Sequence, residues 1–242
     1  MKKFILDLTV NSVEALSDKH VLIKLTDDKP LPEMLPGQFV EVRVDNSPST
    51  FLRRPISINN VDYDRNELWL LVAAVGDGTR QLQKLQKGDR LNCMLPLGNS
   101  FTMPTDSAQK VLLVGGGVGV APLLYFGKRI KAMGGEPTFL LGARSAKDVL
   151  ERELFKQVGR VFITTEDGSE GEKGFVTNHS VLAQEHFDRI SLRTEADDDG
   201  CGSLRLQERH RVRGIAREQD GVWRRSMSLL RREDSGRQQV CM

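Results

Sequence analysis

Glycines stand at positions 115, 116, 117 and 119, between an apolar run at residues 111–114 and a helical segment that begins near Pro122. Glycine lets the backbone turn tightly and approach a ligand closely. The unpaired N–H groups at the start of a helix attract phosphate. The segment therefore predicts a strand, a turn and a helix that bind a dinucleotide, although close packing of a strand on a helix can demand the same glycines.

The first half of the chain carries the sequence Arg54-Pro55-Ile56-Ser57. The guanidinium of an arginine presents a planar fork of hydrogen-bond donors that suits a pyrophosphate. The motif is therefore a candidate site for the pyrophosphate of a flavin. The alternative interpretation is a surface arginine beside a proline in a strand.

Residues 1–103 contain short stretches typical of strands, clearest at residues 21–25, 38–44 and 67–72. Segments rich in glycine and proline separate these stretches and supply the chemistry of turns. The spacing predicts a small antiparallel β-barrel domain that carries the arginine motif.

From residue 110 the pattern changes to alternating strands and helices, which is typical of a parallel α/β sheet. We predict this domain over residues 104–190, with strands at 111–114, 138–144 and 161–165 and a helix at 148–158. Ligands bind at the carboxyl ends of the strands in such sheets. Here those ends carry residues 115–119, 142–144 and 166–169.

The composition excludes several classes of function. The 242 residues have a formal net charge of +2, which gives no strong field for nucleic acid or a membrane surface. The three cysteines form no CxxC pair, as expected in a reducing cytosol. No signal peptide and no apolar run near the roughly 20 residues of a membrane span is evident, so we expect a soluble, cytoplasmic protein.

No side chain is predicted to act as a general acid, a nucleophile or a metal ligand. The four histidines have neither metal-ligand nor triad spacing.

Motifs at residues 52–58, 75–79, 95–99 and 115–122 occur in an order that resembles one group of ferredoxin-reductase-like flavoproteins, the electron-transfer subunits of NAD-dependent dihydroorotate dehydrogenase B. The likeness runs from Met1 to about Ile190. It implies a barrel that binds FAD, a sheet that binds NAD and a [2Fe–2S] cluster. Electrons would pass between NAD and an FMN-containing catalytic subunit in pyrimidine biosynthesis, within a heterotetramer.

The resemblance also implies roles for residues of the barrel. Arg54 would bind the flavin pyrophosphate, and Ser57 would lie near the isoalloxazine edge. Ile56 stands where many relatives carry tyrosine, so an aliphatic contact would replace ring stacking. The first turn of a short helix would meet the second phosphate through its N–H groups. The implied flavin-binding residues are Arg54, Pro55, Ile56, Ser57, Leu71, Val72, Ala73, Gly78 and Thr79.

For the pyridine nucleotide, the resemblance implies that Gly116, Gly117 and Gly119 border the ribose and the nicotinamide. Arg144 and Asp167 would contact the adenosine side. Charged residues at strand ends are solvent-exposed without a ligand as often as they bind one. The alternative interpretation is therefore that Arg144 and Asp167 are simply solvated.

The resemblance stops at the tail, residues 191–242, which is rich in arginine and has no lysine. The conventional interpretation is a disordered basic tail. We favour a frameshifted translation of the end of the NAD domain and of the [2Fe–2S] domain. Moving the frame forward by one nucleotide makes residues 197–199 read as Met or Thr, and residues 192–196 permit Cys-Gly-Pro-Lys-Pro. The resulting CGPKPMM is what the family carries there.

The same shifted frame permits CGVGACLCC at residues 222–231, which contains the CxxxxCxxC spacing of plant-type [2Fe–2S] clusters. Cys201 and Cys241 would then have no ligand role, and the cluster ligands are absent from the sequence as it stands.

Two other functions remain open. One is a subunit of a ferredoxin–NADP reductase or of a sulfide dehydrogenase, which shares the barrel and nucleotide motifs. The other is an inactive nucleotide-binding module with a genuine basic tail.

Overall fold

The computed structural model describes residues 2–193 and 207–210. The first half forms six strands: β1 (Phe4–Ser17), β2 (His20–Thr26), β3 (Phe39–Val42), β4 (Arg54–Asp62), β5 (Glu67–Ala73) and β6 (Arg90–Leu97). They close into an antiparallel barrel in the order β1-β2-β5-β4-β3-β6. The predicted barrel is confirmed.

A β-bulge interrupts β4 where it pairs with β5. Ile58 pairs with Leu70, but Asn60 pairs with Trp69, so the pairing skips Asn59. A bulge re-aims the side chain of the extra residue. The Asn59 side chain accordingly leaves the barrel and reaches the second half of the chain.

Strand β5 is buried on both faces, which explains why residues 67–72 form a continuous apolar run rather than an alternating one. Leu70 and Val72 belong to the barrel core. Leu71, which is 2% exposed, belongs to a second core together with Phe101 and Ala121. One strand therefore packs in both halves of the structure.

The second half contains a parallel sheet of five strands with a sixth, antiparallel strand at its edge. Its strands are β7 (Val111–Gly116), β8 (Thr138–Ala143), β9 (Arg160–Thr165), β10 (Glu172–Lys173), β11 (Arg189–Arg193) and the antiparallel β12 (Gln207–His210). The helices are α1 (Asp77–Leu82), which follows β5, and α2 (Ala121–Ala132), α3 (Arg152–Val158) and α4 (Val181–Gln184). The predicted parallel α/β sheet is confirmed.

The order of the sheet, β10-β9-β8-β7-β11-β12, creates a switch point at β7. The chain moves outward from β7 through β8, β9 and β10 and then returns to place β11 on the other side of β7. Ligands of open α/β sheets bind in the crevice at such a point. The glycine-rich segment begins at Gly115 and Gly116, the last two residues of β7, and continues into the 3-10 turn before α2.

The helix predicted at residues 148–158 begins later than expected. A short 3-10 turn occupies Ala146–Asp148, and α3 begins only at Arg152. Between them, Glu151 has a φ of 52°, in the left-handed region that side chains rarely adopt. This residue interrupts the helical path and sets the start of α3.

Helix α2 contacts both halves of the structure through hydrogen bonds and aromatic packing. Its Tyr125 hydroxyl donates a hydrogen bond of 2.9 Å to the Met34 carbonyl of the barrel. The rings of Phe101 and Phe126 stack with their centroids 4.7 Å apart. The amide of Asn59 donates to the Ala121 carbonyl at 3.1 Å.

The domain limit predicted at residue 190 falls inside β11, which pairs with β7 as far as Arg193. Most of the predicted frameshifted tail, residues 194–206 and 211–242, lies outside the described residues. The helices formed by the described residues are all too short or too polar to cross a membrane.

Candidate functional site

Arg54 begins β4 at the rim of the barrel and is half-buried, and its guanidinium forms no hydrogen bond or ion pair with any other described residue. Its neighbour Arg53 differs, because its guanidinium donates to the carbonyls of Glu41 and Asn92 at 3.2 Å and to the Asn92 side chain at 2.5 Å. Arg53 therefore holds barrel strands together, whereas the donors of Arg54 are available for a ligand.

The first turn of α1 lies beside Arg54. A Cβ added at Gly78 would come within 2.9 Å of Thr50 Cγ2 and 3.1 Å of Arg54 Nε, so glycine is needed there. The first N–H groups of a helix have no partner inside it. The guanidinium of Arg54 and the backbone of Gly78, in the first turn of α1, thus lie next to each other.

The Thr79 hydroxyl is already used within the turn that precedes α1. It accepts hydrogen bonds from the N–H groups of Val75 and Gly76, each at 3.0 Å, and donates to the Gly76 carbonyl at 3.1 Å. This cap stabilises the turn. Thr79 can therefore offer a ligand its backbone but not its hydroxyl.

The side chain of Ile56 faces the interior of the barrel. It is 8% exposed and packs in the barrel core. Strand alternation turns Pro55 and Ser57 to the opposite, outer face, where Pro55 is exposed and Ser57 half-buried. Any contact of this strand with a flavin would involve that outer face.

Leu71 and Val72 are core side chains, so only their backbone could contact a ligand. Ala73 is half-buried at the end of β5. Large apolar side chains are exposed just before β4, with Phe51 at 92% and Leu52 at 74%, and just after β5, with Val75 at 69%. Exposed apolar surface of this kind next to free donors is typical of a binding groove.

The glycines at the end of β7 and in the turn that follows it serve different purposes. A Cβ at Gly115 would lie 2.8 Å from Leu123 Cδ1, so this glycine serves the packing of the strand on α2. A Cβ at Gly116 would meet only the Gly142 carbonyl oxygen, at 3.7 Å. Gly117 has a φ of 53°, and Gly119 is buried in the 3-10 turn that leads into α2. Gly116 leaves space that a ligand could fill.

Arg144 and Asp167 meet at the carboxyl edge of the sheet. The N–H of Asp167 donates to the Arg144 carbonyl at 3.2 Å, and both residues are exposed. The Asp167 carboxylate accepts from the N–H and hydroxyl of Ser169 at 2.9 and 2.6 Å. These hydrogen bonds lower the pKa of Asp167. The carboxylate thus stabilises its own loop while remaining accessible.

Known proteins resemble this chain in sequence and in fold. No protein-family model matches the sequence. The chain is 37% identical over 182 residues to the dihydroorotate dehydrogenase B (NAD(+)) electron transfer subunit of Bacillus velezensis, a match that covers 75% of this chain and 71% of that protein. The chain belongs to this family.

A second family member, from Shouchella clausii, is 44% identical over 154 residues, covering 63% of this chain. The chain spans 59% of the length of that relative. Among solved structures, an NADH-dependent reduced ferredoxin-NADP oxidoreductase that bifurcates electrons matches with a TM-score of 0.69 and 26% identity, covering 78% of this chain and 68% of the other. The chain therefore has the fold of flavin- and NAD-dependent reductases.

The residues present do not fit the iron–sulfur cluster that the family implies. A [2Fe–2S] cluster of this type takes four cysteine ligands, and the sequence contains three cysteines. Cys93, the one cysteine in the described part of the chain, is buried in the barrel core, where burial raises its thiol pKa to about 12. No group of residues in residues 2–193 and 207–210 has the composition of a metal site.

The sequence analysis missed Asn59 and Glu151, whose side chains meet between the barrel and the sheet. The Asn59 amide nitrogen donates to Glu151 Oε2 at 2.7 Å across 92 positions in the chain. A buried asparagine among the apolar residues of a strand was the only available signal, and it did not reveal a partner so distant in sequence.

Proposed function

We propose that this chain binds FAD at the rim of the barrel and NAD at the carboxyl edge of the sheet, and passes electrons between NAD and an FMN-containing subunit that oxidises dihydroorotate. It would act in the cytoplasm, in a heterotetramer. The observation that carries the proposal is Arg54, a half-buried guanidinium without a partner among the described residues, beside the first turn of α1.

When bound, the flavin supplies the exchange between the hydride of NADH and single electrons. The chain supplies binding and orientation. Arg54 would pair with the pyrophosphate in a bidentate manner, and the N–H groups of α1 next to Gly78 would bind its second phosphate. Gly116 would let the nicotinamide approach the strand end closely. The apolar core around Leu71 would exclude water from the junction between the two sites.

The test is FAD affinity, measured by titrating the apoprotein, for Arg54→Ala and for the control Arg65→Ala. Arg65 is 74% exposed in the turn after β4 and forms only a 3.9 Å ion pair with Asp62. Hydrogen bonds to charged groups contribute roughly 1.5–3 kcal/mol. We expect Arg54→Ala to weaken FAD binding by about tenfold or more and Arg65→Ala to leave it unchanged. Equal affinities would refute the assignment.

The similarity to the ferredoxin-NADP oxidoreductase favours a second candidate, a subunit of that class of reductase. Purification of the tagged chain from its own organism discriminates between the two. A co-purifying flavoprotein that oxidises dihydroorotate supports the first candidate, and a partner that exchanges electrons with ferredoxin supports the second.

A further inference from the structure

Asn59 connects three elements with one side chain. It lies at the bulge of β4, two residues after Ser57. Its amide nitrogen donates both to the carbonyl of Ala121, the first residue of α2, and to Glu151, directly before α3. The strand that carries the proposed flavin site is thereby tied to the helix that follows the glycine-rich turn.

This junction leaves two buried oxygens without a hydrogen-bond donor among the described residues. They are Oδ1 of Asn59 and Oε1 of Glu151. Glu151 as a residue is half-buried, but its Oε1 is inaccessible to solvent. Buried polar atoms in native proteins almost always have partners, and two acceptors cannot bond to each other unless one of them carries a proton.

The surroundings of Glu151 favour the protonated acid. Burial raises the pKa of Glu151 to about 7, and the negative charge of Glu14 on β1 acts in the same direction. The hydrogen bond from Asn59 and the positive charges of Lys128 on α2 and Lys24 on β2 act against it. The next residue, Arg152, is engaged by Glu170 at 2.5 Å.

We propose that Asn59 and Glu151 form a proton-dependent latch between the barrel and the sheet. With the proton present, the Glu151 acid donates from Oε1 to Asn59 Oδ1 while Oε2 accepts from the Asn59 amide, so both unpartnered oxygens are satisfied. Loss of the proton leaves two acceptors facing each other and a buried charge. Glu151 also adopts a left-handed backbone conformation, which persists only where the surrounding structure enforces it.

The effect of the latch on electron transfer rests on the proposed function. Asn59 and Glu151 would be positioning residues, because they set the distance between the outer face of β4 and the turn before α2. Small changes in such a distance cost large factors in rate, on the order of a hundredfold per ångström. The rate of flavin reduction should therefore follow the protonation of Glu151.

The experiment is anaerobic stopped-flow reduction of the FAD-loaded full chain by saturating NADH between pH 6 and 8.5. We expect the wild-type rate to fall as the pH rises through about 7. The side-chain amide introduced by Glu151→Gln offers Asn59 one donor and one acceptor at every pH. The rate of flavin reduction by this variant should therefore be the same at pH 8.5 as at pH 6. Asn59→Leu should reduce flavin roughly tenfold more slowly at pH 6. Glu153→Gln changes an exposed neighbour that forms ion pairs with Lys156 and Arg152; it is the control and should follow the wild type.

Identical pH profiles for the wild type and Glu151→Gln would overturn the latch while leaving the proposed function intact. A wild-type protein that NADH does not reduce would refute the proposed function instead. In that case the latch is decided by the infrared carbonyl band of a protonated carboxyl at pH 6, which should be present in the wild type and missing from Glu151→Gln. Its presence in both proteins would overturn the latch.

Discussion

The stability of the protein should depend on pH through Glu151. Its pKa is about 7 in the folded protein, against an ordinary value of 4.5. Between these two values the folded state holds a proton that the unfolded state has lost. The free energy of unfolding therefore falls as the pH rises from 4.5 to about 7, and this contribution stays constant above that pH.

The size of this effect follows from the same two values. At about 1.4 kcal/mol per pH unit, the contribution of Glu151 amounts to about 3 kcal/mol in total. That is a large part of the roughly 5–15 kcal/mol that stabilises a typical domain. Glu151→Gln removes the titrating group, so the free energy of unfolding of this variant should not show the fall with pH that Glu151 causes.

Urea unfolding of the wild type, Glu151→Gln and the control Glu153→Gln at pH 5, 6, 7 and 8 measures the difference directly. From pH 5 to pH 8, the free energy of unfolding of the wild type should fall by about 2 kcal/mol or more relative to that of Glu151→Gln. Parallel stability curves for these two proteins would refute the reasoning. Glu153→Gln should remain parallel to the wild type.

Two further predictions concern the glycine-rich turn and the cluster. Gly115→Ala should lower the free energy of unfolding by about 1–3 kcal/mol, because the added Cβ would press against Leu123. Gly116→Ala should leave urea unfolding unchanged and raise the KM for NADH. The purified 242-residue chain should contain no iron, as measured by elemental analysis. DNA sequencing across the codons for residues 188–202 should reveal the missing or extra base that the frameshift hypothesis requires, and an intact frame would refute that hypothesis.

The sequence predicted the features that depend on local patterns. The apolar run at residues 111–114 lies in β7, which ends at Gly116, and the next glycines form a tight turn. Pro122 lies in the first turn of α2, as expected. These features were predictable because neighbouring residues determine them: β-branched residues favour a buried strand, and proline suits the start of a helix.

Features that depend on distant contacts were not predictable. The burial of Ile56 in the barrel core is one example, since the register of β4 against its neighbours decides which face turns inward. The bulge at Asn59 and the left-handed Glu151 likewise have no local sequence signal. Each conformation is stabilised by the contact between them, across 92 positions of the chain.

The double burial of β5 has a consequence for how the protein folds. Leu71 fills the core of the second half while its neighbours Leu70 and Val72 fill the barrel. A barrel that formed alone would leave the apolar outer face of β5 exposed to water. The two halves therefore complete each other during folding, and heat should melt them together in a single cooperative transition rather than one after the other.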